Sequence, residues 1–161
     1  MRDYNKILFI SSEFPPGPGG IGNHAWNLVR NLNSIVPVDV LTISDYVSIR
    51  DSESFDQKEK FNIYRFKRFS ISIITYTHRI FHIINYVRQK QYSHCILSGF
   101  FSLLMCPIIH LINKKIIKIG VLHGSELIQS NFLFRFSTIK SLRCLDKIIS
   151  VSHYTQSLIP I

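Results

Sequence analysis

Acidic side chains are scarce in this sequence, and the scarcity is local. Residues 61–161 hold two, Glu126 and Asp146, against thirteen lysines and arginines, whereas residues 1–60 hold eight against six. The formal charge of +9 therefore belongs to the later part of the chain. Such a surface attracts nucleic acid, an anionic membrane or a phosphorylated ligand, because each rewards clustered cations by ion release or direct pairing. Charge alone does not choose among them, and solvated lysines that keep the chain soluble are the plainer account. Cysteine is sparse as well. Cys95, Cys106 and Cys144 are odd in number, widely spaced and set among apolar residues. That pattern speaks against a disulfide framework and for buried thiols in a reducing cytosol. After the N-terminal Met1-Arg-Asp-Tyr-Asn-Lys6 there is no apolar run of secretory-leader length, so export is not expected. Repeats, low-complexity tracts and clear linkers are lacking too. With 161 residues, 46% hydrophobic and 18% charged, the composition excludes a disordered tail and predicts one domain over 1–161.

Charge is missing altogether from residues 91–113, which Arg88, Lys90, Lys114 and Lys115 flank, and that length would span a bilayer. His94, Ser98, Gly99, Ser102, Pro107 and His110 interrupt the run. They divide it into a buried strand at 95–98, a turn at Gly99 and a buried helix. Other strands are expected at 6–11, 38–44, 62–66, 116–122 and 147–152, all short and rich in β-branched or aromatic residues. Helical patterns fall between them. One follows the glycine loop with Trp26, Leu28, Val29 and Leu32 on its apolar face, and another covers 131–144. Residues 45–60 read as an exposed polar loop. From 70 to 90, Thr75, His78, Arg79, His82, Asn85 and Gln89 recur at helical spacing opposite Ile73, Ile74, Phe81, Ile84 and Val87, predicting an amphipathic helix with a basic polar face. Strands alternating with helices that serve as crossovers imply an α/β, doubly wound parallel sheet.

The segment Gly17-Pro-Gly-Gly-Ile-Gly22 contains a literal G-x-G-x-x-G before a helix. In a dinucleotide-binding fold the first glycine follows the strand directly, so that the helix N-terminus meets the pyrophosphate. Here Ser12-Glu-Phe-Pro-Pro16 intervenes, and Pro16 and Pro18 stiffen the path. Asp45 imitates the ribose-binding acid, but the loop is too long for that fold. A lip over the carboxyl end of the sheet fits better: Gly19, Gly20 and Gly22 bring bare backbone to an anionic group where the helix dipole begins. A loop that only turns the chain is the alternative.

Three stretches together carry a resemblance. They are Ile7-Leu-Phe-Ile with Phe14-Pro-Pro-Gly-Pro-Gly-Gly-Ile-Gly-Asn-His-Ala-Trp-Asn-Leu28, then Val121-Leu-His-Gly-Ser-Glu-Leu127, then Leu145-Asp-Lys-Ile-Ile-Ser-Val-Ser152 with Thr155 and Leu158. In this order they resemble the N-terminal domain of retaining, nucleotide-sugar-dependent glycosyltransferases of the GT-B fold, the glycosyl transferase 4-like group. The resemblance implies a Rossmann-like N-terminal half whose nucleotide-sugar domain is missing from 1–161. It places Gly19, Gly20 and Gly22 at the donor diphosphate and His123 at the transferring sugar, as a positioner or through its strand-end backbone. His24, Gly124, Glu126 and Ser152 would line the cleft. A turn histidine capping the next helix is the alternative for His123, and a packed helix residue that for His24.

The function so implied is one half of an enzyme that moves a sugar from a nucleotide sugar to a glycan or lipid-linked acceptor, inactive alone. No cofactor is expected, the nucleoside-diphosphate sugar being substrate. His78 and His82 lack a third ligand nearby, and no metal is expected. Nucleic acid is not expected as a partner either, since no helix-turn-helix, zinc or RNP-type pattern accompanies the charge. A C-terminal-domain partner chain and an anionic membrane surface are the partners to consider, the latter through Arg65, Lys67, Arg68 and the basic helix face. The location implied is cytoplasmic, peripheral on the inner membrane face. A non-catalytic membrane-surface or scaffold module that kept the fold is the competing reading.

Overall fold

A computed structural model describes residues 6–43, 47–89, 92–128 and 131–159. Asp45 and the distal ends of the chain lie outside the described residues. Six strands, β1 (Ile7–Ser11), β2 (Val38–Ile43), β3 (Asn62–Phe66), β4 (His94–Ser98), β5 (Ile117–Leu122) and β6 (Lys147–Ser150), form one sheet. Their order is β3-β2-β1-β4-β5-β6 and every described pairing is parallel. Parallel neighbours need crossovers, and α1 (Gly20–Asn33), α2 (Ile49–Asp56), α3 (Ser72–Gln89), α4 (Phe100–Leu104) with α5 (Cys106–Ile112), and α6 (Phe132–Arg143) supply them, while α7 (His153–Ser157) follows β6.

The central strands are apolar runs because both faces are covered. On one face Leu8, Ile10, Leu41, Cys95 and Leu97 pack with Ile83 and Val87 of α3 and Cys106 and Ile109 of α5. On the other, Phe9, Val40, Ile96 and Val121 meet Ala25 and Val29 of α1, with Trp26, Leu28 and Leu32 half-buried beside them. The chain reverses its winding between β1 and β4, and their carboxyl ends flank the crevice such a reversal creates. The charge-free run 91–113 divides as its polar residues imply. It forms β4, a turn at Gly99, and two short helices, α5 starting at the Cys106-Pro107 step. Among the described residues no helix is long and apolar enough to cross a membrane.

Three expectations need correction. Residues 45–60 are not simply a loop, because α2 forms there. Ser48 accepts a hydrogen bond from the Asp51 amide at 3.1 Å and donates to its carboxylate at 2.7 Å, a reciprocal cap that starts the helix. In α3 the faces are partly exchanged. Its inner spine is Thr75, Arg79, Ile83 and Val87, while Ile73, Ile74 and Phe81 point outward. Thr75 belongs inside because its hydroxyl receives the Phe69 amide at 2.9 Å and bonds the Phe69 carbonyl, tying the preceding loop to the helix. Cys95 and Cys106 are buried thiols, with desolvation holding Cys106 up at about 12, but Cys144 is half-buried.

Candidate functional site

The glycine loop leaves β1 at Ser11 and folds back so that Phe14 enters the core. Gly19 then caps α1 at φ 131°, a left-handed conformation that a side chain would strain, and a β-carbon there would run into the Glu13 carboxylate. No side chain caps α1. Gly20 stands in open space at the first turn. Gly22 is different: a β-carbon would lie 3.2 Å from the Phe14 amide nitrogen and 3.3 Å from its Cα, so this glycine lets the lip press onto the helix.

At the carboxyl end of β5 the chain turns through His123 and Gly124, the latter at φ 106°. Glu126, 1% exposed, curls back beneath this turn. Its carboxylate accepts the Gly124 amide at 2.9 Å and the His123 amide at 3.2 Å. Glu126 therefore faces inward instead of lining a rim, and it already occupies the strand-end amide of His123. What His123 presents is its ring. Its Nε2 shares a 3.1 Å hydrogen bond with the Ser98 hydroxyl at the end of β4. Its ring meets that of His24, from the first turns of α1, edge to face with centroids 5.2 Å apart. Burial holds the His123 imidazole below its ordinary pKa; Glu126 pulls it up, and His24 pushes it down again. The neutral ring is favoured in the fold. Its contribution to stability is full above about pH 6.5, the unfolded value, and is lost as pH falls through the lower folded value.

Gly124 packs close under α7, where a β-carbon would stand 3.3 Å from the Thr155 hydroxyl. Ser152, exposed, caps that helix, accepting the Thr155 amide at 3.1 Å. The structure thus brings His24, His123, Gly124 and Glu126 to one strand end, and sets Ser152 on the adjoining turn. Sequence reading missed the serines that complete this edge. Ser98 holds His123, and Ser12 receives the Ser102 amide at 3.3 Å while its own amide donates to the Ser98 carbonyl at 2.9 Å. Gly99 permits that approach, since a β-carbon there would lie 2.7 Å from Ser12 Cβ. The signal was available: β1 and β4 both run apolar into serine. His78 and His82 lie away from this edge, their Nε2 atoms 3.1 Å apart beside a hollow of about 450 Å³ against β3.

Comparison with known proteins bears on the architecture. Neither a family model nor a curated protein matches the chain. Solved structures do match it. UDP-GlcNAc 2-epimerase from Methanocaldococcus jannaschii superposes with a TM-score of 0.63 at 10% identity, covering 95% of this chain and 41% of that one. MurG from Acinetobacter baumannii gives 0.63 at 13% identity over 98% and 43%, and LpCGTa, solved in complex with UDP, 0.58 at 13% over 92% and 47%. The fold is that of a GT-B N-terminal domain. The chain spans less than half the length of each of those chains. In it, the edge that carries His123 lies at the carboxyl ends of the strands, where open α/β sheets take their ligands.

Proposed function

We propose that this GT-B half is the acceptor side of a glycosyltransferase that moves a sugar from a nucleotide-sugar donor to a glycan or lipid-linked acceptor. The observation that carries the reading is His123. It is a mostly neutral imidazole, fixed by Ser98 through Nε2 and braced by His24, at the carboxyl end of a parallel sheet. So held, it offers its other nitrogen for hydrogen bonding to a sugar or acceptor hydroxyl. The α1 N-terminus, which no side chain caps, is suited to share the negative charge of a departing nucleoside diphosphate, with Gly19 and Gly20 leaving the backbone bare and Gly22 seating the loop. Gly124, Glu126 and Ser152 shape the turn that carries His123. Structural likeness to proteins named for UDP or UDP-sugars supports a nucleotide sugar as the donor.

Transition-state charge on a diphosphate needs several preorganised donors, and the loss of one costs on the order of 100-fold in rate. Helix α1 alone does not meet that need, so turnover requires a second, nucleotide-gripping domain, in the same polypeptide or as a partner chain. The experiment is transfer of radiolabelled sugar by this half combined with such a domain. Transfer is expected, with His123→Ala lowering kcat about 100-fold at a temperature where circular dichroism shows the variant fully folded. Unchanged kcat in His123→Ala would remove His123 from the reaction, and no transfer with any donor domain would leave a non-catalytic module.

A further inference from the structure

Away from the sheet crevice, α3 carries two histidines one turn apart, and their surroundings set how the rings meet. Nε2 of His78 and Nε2 of His82 stand 3.1 Å apart. A head-on N–H···N bond of that length would hold the ring centroids more than about 5 Å apart, yet they lie 4.3 Å apart with the rings inclined at 54°. Both rings therefore lean, and their nitrogens converge toward one side instead of facing each other. Neighbouring aromatic rings fix that lean. Phe69 meets His78 edge to face at 5.1 Å, Phe81 meets His82 in the same way at 5.9 Å, and Phe66 lies against His82 at 6.3 Å. Phe69 is itself tied to the helix by its two backbone hydrogen bonds with the Thr75 hydroxyl.

A metal ion bonded to both nitrogens at about 2.0–2.1 Å would see them at about 100°, between the octahedral and tetrahedral angles. We infer that His78 and His82 form a two-imidazole chelate for a transition-metal dication such as Cu²⁺ or Zn²⁺, on the side of α3 that faces β3. The sequence argued against a metal here for want of a third ligand, and among the described residues no three metal-ligating side chains gather. Water completes a site of this kind, so the ion is held reversibly and not as a closed structural zinc. The hollow of about 450 Å³ beside the pair, lined also by Tyr64, Phe66, Lys67 and Tyr86, leaves room for that water. None of its lining residues carries a carboxylate, which gives the hard ions Mg²⁺ and Ca²⁺ no ligand suited to them. Burial first, then His82, Lys67 and Arg79, hold the His78 imidazole below its ordinary pKa, so at pH 7 the ring is neutral and keeps a lone pair to give. An anion would need the pair protonated, which these surroundings oppose. The same positive charges repel a cation, so the bound ion must gain from metal–nitrogen bonding what it loses to repulsion. Affinity should therefore follow bonding strength, Cu²⁺ above Ni²⁺ above Co²⁺.

The inference stands whether or not the chain transfers sugar, so its test reads metal binding alone. The full chain is titrated calorimetrically with Cu²⁺, Ni²⁺, Zn²⁺ and Mg²⁺ in a non-coordinating buffer. Binding is expected for the first three and not for Mg²⁺. His78→Ala and His82→Ala should each lower Cu²⁺ affinity at least about tenfold, since even the partner of a metal ligand is worth that much. Both variants are compared at a temperature where circular dichroism shows them folded, and His110→Ala and His153→Ala should leave the affinity unchanged. A second measurement uses the unaltered chain. Zn²⁺ should move the ring Nε2 resonances of His78 and His82 together and leave those of His24 and His123 in place. Undiminished Cu²⁺ affinity in the His78 and His82 variants, an equal response to Mg²⁺, or zinc shifts confined to other histidines would each overturn the assignment.

Discussion

Three glycines within four positions do three different jobs, and substitution separates them. Gly19→Ala forces a β-carbon onto a left-handed backbone and into the Glu13 carboxylate, and should cost about 1–2 kcal/mol of stability. Gly20→Ala meets nothing within 4 Å and sits in a helical turn, so it should stabilise by about 0.5–1 kcal/mol. If the proposed diphosphate contact is made there, the same Gly20→Ala variant will lose nucleotide-sugar transfer in the two-domain enzyme despite its higher melting temperature. A variant both more stable and fully active would confine Gly20 to a turning role. Of this local detail, the sequence made the need for bare backbone legible. It did not show that the backbone of Phe14 crosses Gly22, because that contact depends on how the proline-rich lip folds back.

Elements were legible wherever burial on both sides left a simple pattern. The runs of β1, β2, β4 and β5 could hardly be anything else, and the serines that end β1 and β4 marked the site edge without being read. The orientation of α3 was not legible, since it has apolar residues on two sides and only its neighbours decide which side is inner. Ile83 and Val87 follow the expected pattern, whereas Thr75 is drawn inward by its bonds to Phe69. Helix α2 hid behind a polar composition although its Ser48-Ile-Arg-Asp51 cap was present. A buried carboxylate was likewise unforeseen. Asp39 of β2 is fully buried and ties three elements, receiving Lys6 and Asn62 at 2.8 Å each and the Tyr92 hydroxyl at 2.8 Å. Burial works to raise its pKa, but these partners overcome it and hold the carboxyl below the ordinary range. An aspartate so depressed stabilises the fold above its unfolded pKa of about 3.9, and that stability is lost as pH falls through the folded value. Asp39→Asn should therefore cost about 2 kcal/mol in urea unfolding at pH 7, and the gap to the parent should close as pH drops below 4. A gap that stays constant with pH would mean that shape, not charge, makes Asp39 matter.

At the scale of the whole molecule the sheet is asymmetric. Strands β1 and β4 are sealed on both faces, but β6 pairs only with β5 among the described residues and leaves Ile148 and Ile149 exposed, with Val151 just beyond. An edge strand of this kind is normally short, charged or covered. Here it is short, and Lys147 is its one charge. This chain spans less than half the length of the solved chains that share its fold. Isolated, the 161-residue chain should self-associate through β6 as its concentration rises. Light scattering after size exclusion should show the monomer fraction rising in Ile149→Lys, which charges the edge while leaving the β5 pairing intact, and unchanged in Phe132→Ser, which alters the exposed face of α6. If Phe132→Ser restores the monomer and Ile149→Lys does not, association runs through the exposed apolar face of α6 and the β6 edge is inert.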